Sequence, residues 1–223
     1  MEKARYITNL EENDFNDDIF YIGSEFCLYK MPDIKEIYEF KKKNINKKII
    51  LTTPILTDIK LEKIASLSCK LIKEKLINEI TVNDIGLLNF LIKKIGSEKI
   101  NIGRILVHTF GLELNDGWVR DFFIKNKLKH IEIDSLVQLS YIKSLDSISI
   151  YIHKPYQYLT YTRDCQFKKI INDKCYVKCI YTKVKSKLLD DMFMMGNSYF
   201  KSNSTELARL QNDPRIRRVI FSK

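Results

Sequence analysis

The chain contains 223 residues, of which 45% are hydrophobic and 30% charged, a composition typical of a soluble globular protein. It excludes global disorder and a fibrous protein, and the length allows a sizeable core in one domain or slightly more. The formal charge is +10, with 38 basic and 28 acidic residues. This excess suggests an anionic partner such as nucleic acid, or the lysine bias of an AT-rich genome.

The N-terminal segment is acidic and polar, without the apolar core of a signal peptide. The longest mostly apolar stretches, such as 85–92, are interrupted and too short to cross a bilayer. Five cysteines, an odd number without a secretory leader, do not suggest a disulfide framework. We therefore expect a cytoplasmic protein in a reducing environment, without a membrane span.

Short β-rich segments alternate with helical patterns over residues 1–150. The predicted strands lie at 19–23, 48–53, 79–82, 99–102, 129–133 and 147–152. The predicted helices lie at 32–44, 58–77, 85–95, 115–127 and 135–144, where apolar residues recur at helical spacing. Asp58 and Asp84 directly precede helical patterns and are candidate N-caps.

Five or six successive βα units predict an α/β fold with a parallel sheet. A TIM-type barrel, complete or incomplete, and a doubly wound open sheet both fit. We favour the barrel because no G-x-G-x-x-G motif follows the first strand. Residues 151–198 are rich in Tyr, Ile, Val and Cys and predict short strands, before a helix near 203–211 and a strand at 218–222. We treat residues 1–223 as a single domain.

Polar or reactive residues follow the predicted strands, at the end where parallel βα proteins carry their sites. If the strands are correct, these residues converge on one rim: Cys27, Thr52, Thr53, Asn83, Asp84, Arg104, Asp134 and His153. Each could instead be a helix cap or a loop start.

The cysteines indicate a metal site. Cys175 and Cys179 form a C-x3-C pair, and Cys165 lies ten residues earlier. Soft thiolates select zinc or iron–sulfur clusters, and Cys27 on the predicted rim would complete a four-cysteine set. The alternative is separate structural cysteines. Cys69 lies within the second helical pattern and is predicted to be a packing residue.

Four further residues are candidates for catalysis or substrate binding. Arg104 and Arg163 could pair bidentately with a carboxylate, although either could be a structural arginine. Asp84 could orient a proton donor or cap the third helix. His153 follows the sixth strand and is the histidine expected to face the site.

An ordered series of segments resembles peptidase family U32, especially its small members akin to the anaerobic ubiquinone-hydroxylation proteins. The resemblance covers about residues 18–222. It rests on the order of the segments and on the four cysteines that some of them contain. The segments are 20–27, 49–56, 80–88, 100–104, 130–134, 155–165, 175–179, 195–198 and 216–221.

The resemblance implies a TIM-barrel-like fold and a 4Fe–4S cluster held by Cys27, Cys165, Cys175 and Cys179. It also implies oxygen-independent hydroxylation of quinone precursors or RNA bases, with prephenate as a proposed oxygen donor in some members. The peptidase label covers older, collagenase-like descriptions of the family.

One segment departs from the family pattern. Before Cys165 the chain is longer and more aromatic, and Asp164 stands where the family has arginine, which puts the substrate pocket in doubt more than the cluster. The alternatives are a peptidase and a non-catalytic RNA-binding or partner module with a structural metal such as zinc. The partners to consider are a paralogous subunit in a heterodimer, an anionic small molecule and RNA.

Overall fold

The computed structural model describes most of the chain. The described residues are 1–11, 16–162, 165, 167–172, 174–176, 179, 181–184, 191–203 and 213–222.

Strands and helices alternate up to residue 154, after which strands predominate. The described strands are β1 (Glu2–Ile7), β2 (Ile19–Gly23), β3 (Lys48–Thr52), β4 (Glu79–Val82), β5 (Ile100–Ile102), β6 (His130–Ile133), β7 (Ser149–Lys154), β8 (Tyr156–Tyr161), β9 (Ile170–Ile171), β10 (Lys174–Cys175), β11 (Tyr181–Lys183), β12 (Phe193–Met195), β13 (Ser198–Ser202) and β14 (Ile216–Phe221). The described α-helices are α1 (Ile34–Lys43), α2 (Asp58–Lys73), α3 (Ile85–Ile95), α4 (Arg104–Phe110), α5 (Glu113–Asp116), α6 (Trp118–Lys125) and α7 (Leu136–Tyr141).

Eight parallel strands close into a barrel in the order β1-β14-β7-β6-β5-β4-β3-β2. The last strand in the chain, β14, lies between β1 and β7 and pairs in parallel with both. The predicted TIM-type barrel is therefore confirmed, and it is complete. The doubly wound open sheet is wrong, because the sheet has no free edge.

The sequence missed two elements of the barrel. Strand β1 carries charged residues on its outer face, and only Ala4 and Tyr6 give it an inward apolar face. Helix α4 is short and starts directly after Gly103. The helix predicted at 115–127 is divided at Gly117 into α5 and α6. The helix predicted at 203–211 falls almost wholly in the stretch 204–212, which lies outside the described residues.

The helices pack against the barrel through a core of Ile, Leu, Val and Phe side chains. Helix α1 begins with a capping box, in which Asp33 accepts the Glu36 N–H and Glu36 accepts the Asp33 N–H. The predicted cap at Asp58 is displaced by one residue, since Thr57 is the N-cap of α2. No helix in the described part of the chain has both the length and the apolar character of a membrane span.

An insertion, residues 155–215, lies between β7 and β14, and its described residues form strands. Its strands β11, β12, β13 and β8 form an antiparallel sheet, and β9 pairs with β10. The predicted β-rich, cysteine-containing C-terminal part is therefore confirmed. Because β7 ends at the carboxyl end of the barrel, the insertion begins at the end where TIM-type proteins place their sites.

The opposite end of the barrel interior is organised around a buried arginine, Arg218, which is 1% exposed. Its guanidinium donates to Glu2 at 2.7 Å, to Glu79 at 3.0 Å and to the Tyr21 hydroxyl at 2.8 Å. It also lies 4.1 Å from the centre of the Tyr151 ring. Burial alone would raise the pKa of Glu79, but Arg218 and Lys48 together outweigh it, and the pKa falls to about 2.

We expect Arg218→Met to lower the free energy of unfolding by about 1–3 kcal/mol, because the Tyr21 hydroxyl and the partly buried Glu79 would lose their hydrogen bonds to Arg218, and Glu79 would keep only Lys48 as a charged partner. Urea denaturation at pH 7 measures this loss. Arg217→Met is the matched control: Arg217 neighbours Arg218 on β14 but is exposed, and its loss should cost less than about 0.5 kcal/mol. Equal losses in the two variants would contradict this account of the barrel interior.

Candidate functional site

Buried polar contacts attach the insertion over the carboxyl end of the barrel. The Asp134 carboxylate, directly after β6, accepts the Tyr158 N–H of β8 at 2.7 Å. The Asn203 side chain, after β13, donates to the carbonyl oxygens of Asp134 at 2.9 Å and His153 at 3.0 Å. The insertion is thus fixed to two neighbouring barrel strands, β6 and β7.

Four of the five cysteines line one cavity of about 430 Å³ between the insertion and the barrel loops: Cys27, Cys165, Cys175 and Cys179. None of these four forms a disulfide. The other lining residues include aromatic side chains and two lysines, namely Phe26, Tyr29, Tyr161, Phe167, Lys30 and Lys168. Cys69 lies apart, half-buried on α2 and packed against the hydrophobic core, as the sequence predicted.

The loop after β2 presents Cys27 to the cavity. Gly23 ends the strand with φ +101°, and a Cβ there would lie 2.3 Å from the Thr52 carbonyl oxygen, so the turn requires glycine. The same carbonyl accepts the Ser24 N–H at 3.1 Å. The Ser24 hydroxyl oxygen accepts the Cys27 N–H at 3.0 Å. A 3₁₀ turn follows, closed by the Lys30 N–H on the Cys27 carbonyl.

The strand that carries Cys175 is fixed to the barrel by ion pairs. Cys175 lies on β10 opposite Ile170 on β9. The preceding residue, Lys174, donates to Asp33 and Glu36 at the start of α1, at 2.9 Å each. The two side chains of the α1 capping box therefore also bind the segment that carries Cys175 toward the cavity.

The four thiols influence one another electrostatically. Burial raises the pKa of the Cys27 thiol, and the other three cysteines of the cavity raise it further. Burial also raises the pKa of Cys179, whereas Lys30 lowers it. Neighbouring thiolates in a partly desolvated cavity repel one another. A bound cation would reverse this effect, because coordination deprotonates thiols.

The thiol spacing is wider than that of a closed zinc site. Among the described residues, ligand atoms of three histidine, cysteine or carboxylate groups lie within 4.8 Å of one another only in the group Glu25, Glu132 and His153. No three cysteine sulfurs are therefore that close. A tetrahedral zinc with Zn–S bonds of about 2.3 Å holds its sulfurs about 3.8 Å apart.

A buried ion cluster lies at the barrel mouth and is centred on Arg104, which is 3% exposed. Its guanidinium pairs bidentately with Glu25 at 3.0 and 2.6 Å. It also donates to Asp134 and to the Tyr156 carbonyl, both at 3.0 Å. The prediction that Arg104 grips an anionic substrate is therefore corrected: its donors are bonded to protein groups, and it is sealed from solvent.

An aromatic layer separates this ion cluster from the thiol cavity. The Arg104 guanidinium carbon lies 5.4 Å from the Phe26 ring centre and 5.9 Å from that of Phe200. Phe26 stacks on Tyr158 with ring centres 5.0 Å apart, and it also lines the cavity. Phe26, which directly precedes Cys27, thus lies between the cavity and the ion cluster and contacts both.

A second buried polar pair, His153 and Glu132, lies deeper in the barrel. The His153 Nε2 and a Glu132 carboxylate oxygen are 2.8 Å apart, and the Thr81 hydroxyl donates to the other oxygen at 2.6 Å. Burial raises the pKa of Glu132 to about 7. Burial, with Arg104 second, lowers the pKa of His153 to about 3. The pair therefore holds a proton near neutral pH on the carboxyl group rather than on a charged imidazolium.

Glu25, Glu132 and His153 together could also ligate a metal ion. Two features disfavour a metal there. Glu25 is already neutralised bidentately by Arg104, which would repel a second cation. None of the three residues lines the thiol cavity. The cysteine cavity is the better candidate metal site.

The other predicted site residues have different outcomes. Asp84 is the N-cap of α3, where its carboxylate accepts the N–H groups of Leu87 at 2.8 Å and Leu56 at 3.1 Å. The capping alternative is therefore confirmed for Asp84. His153 lies inside the barrel and is fully buried, so it does not face the cavity. Arg163 lies outside the described residues.

Sequence reasoning missed the two glutamates that hold this end of the barrel together. Glu132 is the single charged residue in the strand segment Ile131–Ile133, and a strand of a parallel barrel is normally apolar. That contrast was a usable signal. Glu25 lies in a loop next to Ser24 and Phe26, and nothing in its neighbourhood distinguishes it from a solvated glutamate.

No family model matches the chain, and no curated protein or solved structure is significantly similar to it.

We expect Glu132→Gln to change how stability depends on pH. The pKa of Glu132 is about 7 in the folded protein against an ordinary value of 4.5. The wild type therefore loses stability relative to the variant as pH rises through this window. The two proteins should have similar free energies of unfolding at pH 5. At pH 8 the free energy of unfolding should be higher in the variant by about 1–3 kcal/mol.

Thermal or urea unfolding from pH 5 to pH 8 measures this difference. Glu62→Gln, at an exposed position of α2, is the control and should follow the wild type throughout. Parallel curves for wild type and Glu132→Gln would show that Glu132 is ionised in the folded protein across the whole range.

Proposed function

We propose that this chain is an iron–sulfur protein of the oxygen-independent hydroxylase type, or a subunit of such an enzyme. The observation that carries the proposal is the convergence of Cys27, Cys165, Cys175 and Cys179 on one cavity at the carboxyl end of a TIM-type barrel. Cys27 is remote in sequence from the other three, and the fold places all four around the same cavity. Their likeness to the ligand positions of family U32 supports the same proposal.

The donor set fits a 4Fe–4S cluster better than a single zinc ion. Four thiolates are the ligands that such a cluster takes. A single zinc ion would require its four sulfurs to lie about 3.8 Å apart, whereas no three of these sulfurs lie within 4.8 Å of one another. When bound, the cluster would supply electron transfer or substrate activation, according to whether all four thiolates ligate it.

The chain's own residues would bind substrate and limit the access of water. Lys30 and Lys168 line the cavity beside the thiols, which favours an anionic small molecule as ligand. Phe26, Tyr161 and Phe167 supply an apolar wall against which a ring could lie and from which water is excluded. The substrate classes implied by the family resemblance are quinone precursors and RNA bases.

The proposal places the protein in a reducing compartment, the cytoplasm. None of its five cysteines, all within the described residues, forms a disulfide, and an oxidising compartment would drive neighbouring thiols toward disulfides. A paralogous subunit as partner is part of the same proposal, and the mass of the anaerobically purified assembly tests it.

We expect anaerobically reconstituted wild type to be brown, with broad visible absorption and about four irons per chain. Replacing Cys27, Cys165, Cys175 or Cys179 singly with Ser should remove most of the iron, because each thiol would be a ligand. Cys69→Ser is the matched control and should load like the wild type. Colourless wild type that binds one zinc per chain would overturn the proposal in favour of a structural metal.

The two rival functions give different results with the same protein. Peptide cleavage by homogeneous, metal-free protein would support a peptidase. Against it, the His153 ring is fully buried inside the barrel and bonded to Glu132, and the His130 Nδ1 is bonded to the Tyr151 hydroxyl. Salt-dependent RNA binding that survives removal of iron would support a non-catalytic RNA-binding module.

A further inference from the structure

We infer that Asn197 is a positioning residue for the thiol site, joining two of its cysteine-bearing segments through one buried amide and lying in the turn beside a third. The inference rests on the proposed function for its metal and on hydrogen bonds of the structure for its contacts. Asn197 is 9% exposed and lines the same cavity as the cysteines. It lies at the tip of the hairpin formed by β12 and β13, where Met195 pairs with Ser198.

The first contact reaches the segment of Cys27. The Asn197 Nδ2 donates to the Phe26 carbonyl oxygen at 2.8 Å. This carbonyl belongs to the peptide bond that leads into Cys27, so the hydrogen bond fixes the orientation of the backbone from which that thiol projects. The loop is held from the barrel side by the Arg104–Glu25 pair and from the insertion side by Asn197.

The second contact reaches the segment that leads to Cys165. The same Nδ2 donates to the Thr162 carbonyl oxygen at 2.9 Å, and the Thr162 N–H donates back to the Asn197 carbonyl oxygen at 2.8 Å. Thr162 follows β8 and lies three residues before Cys165. Asn197 therefore fixes the point at which the chain leaves the sheet toward that cysteine.

The third contact is steric and involves Cys179. Gly196 precedes Asn197 in the two-residue turn and has φ +64°, as the first position of a type II′ turn requires. A Cβ at Gly196 would lie 3.2 Å from the Cys179 sulfur. The turn thus forms the surface on which the Cys179 thiol rests, and Asn197 holds that turn in place.

This arrangement uses an amide where a carboxylate of the same shape would fail. Both amide hydrogens go to carbonyl oxygens, and the Asn197 Oδ1 accepts the Ser198 hydroxyl at 3.1 Å. Aspartate would direct an anion at two carbonyl oxygens and would donate to neither. Outer contacts that orient metal ligands typically change metal affinity about 10–100-fold when they are removed.

The test compares wild type with Asn197→Ala and Asn197→Asp after anaerobic reconstitution with iron and sulfide. We expect iron release to excess EDTA to accelerate about 10–100-fold in both variants, and the cluster potential to shift. Gly196→Ala should also accelerate iron release, because the added methyl group would displace the Cys179 thiol. Circular dichroism of each variant establishes that it is folded.

Asn203→Ala is the matched control. Asn203 is also a buried asparagine with both amide hydrogens on backbone carbonyls, but these belong to the barrel mouth and not to a cysteine-bearing segment. We expect Asn203→Ala to lower the melting temperature about as much as Asn197→Ala does, but to release iron at a rate near that of the wild type. Equal acceleration in the Asn203 and Asn197 variants would overturn the inference, since Asn197 would then only stabilise the insertion.

A metal-free measurement separates this inference from the proposed function. In apo-protein, iodoacetamide labelling followed by mass spectrometry reports each thiol, with Cys69 as internal reference. Loss of two hydrogen bonds in Asn197→Ala should raise the labelling of Cys27 and Cys165 about three- to tenfold. Wild-type protein that takes up no iron on reconstitution would reject the proposed function. Unchanged thiol labelling in Asn197→Ala would reject the inference.

Discussion

The buried guanidinium of Arg104 is the interaction on which the carboxyl end of the barrel depends. It connects Glu25 in the loop after β2, Asp134 after β6 and the Tyr156 carbonyl at the start of the insertion. These parts of the chain lie far apart in sequence, and each leads to the thiol cavity or to the sheet beside it. Removing one partner of such a buried cluster leaves an uncompensated charge, which is why the geometry is strongly specified.

The charges around Arg104 also determine what the barrel interior can do. Three buried carboxyl groups, Glu25, Asp134 and Glu132, face one arginine and a neutral histidine. Burial raises the pKa of Asp134 to about 6 and that of Glu132 to about 7, although Arg104 lowers both and Arg218 also lowers that of Glu132. The interior therefore keeps a proton near neutral pH. The thiol cavity lies above it, behind the aromatic layer formed by Phe26 and its neighbours.

The sequence predicted the barrel well because its inner strands are nearly continuous apolar segments. The structure places β2, β4 and α3 at the predicted residues. The sequence also predicted which four cysteines belong to one site, since three are close in sequence and Cys27 follows a strand. The role of Arg104 could not be predicted, because its main partner, Glu25, is 79 residues away in a loop. Asn197 was equally hidden, since its contacts are with backbone carbonyls and carry no sequence pattern.

The central claim is that the four cysteines form one iron–sulfur site. Anomalous X-ray diffraction at the iron absorption edge, on crystals grown anaerobically from reconstituted protein, tests this claim most directly. The account predicts a compact anomalous peak within the cavity, in contact with Cys27, Cys165, Cys175 and Cys179. A peak at Glu25, Glu132 and His153 instead, with no iron in the cavity, would contradict it.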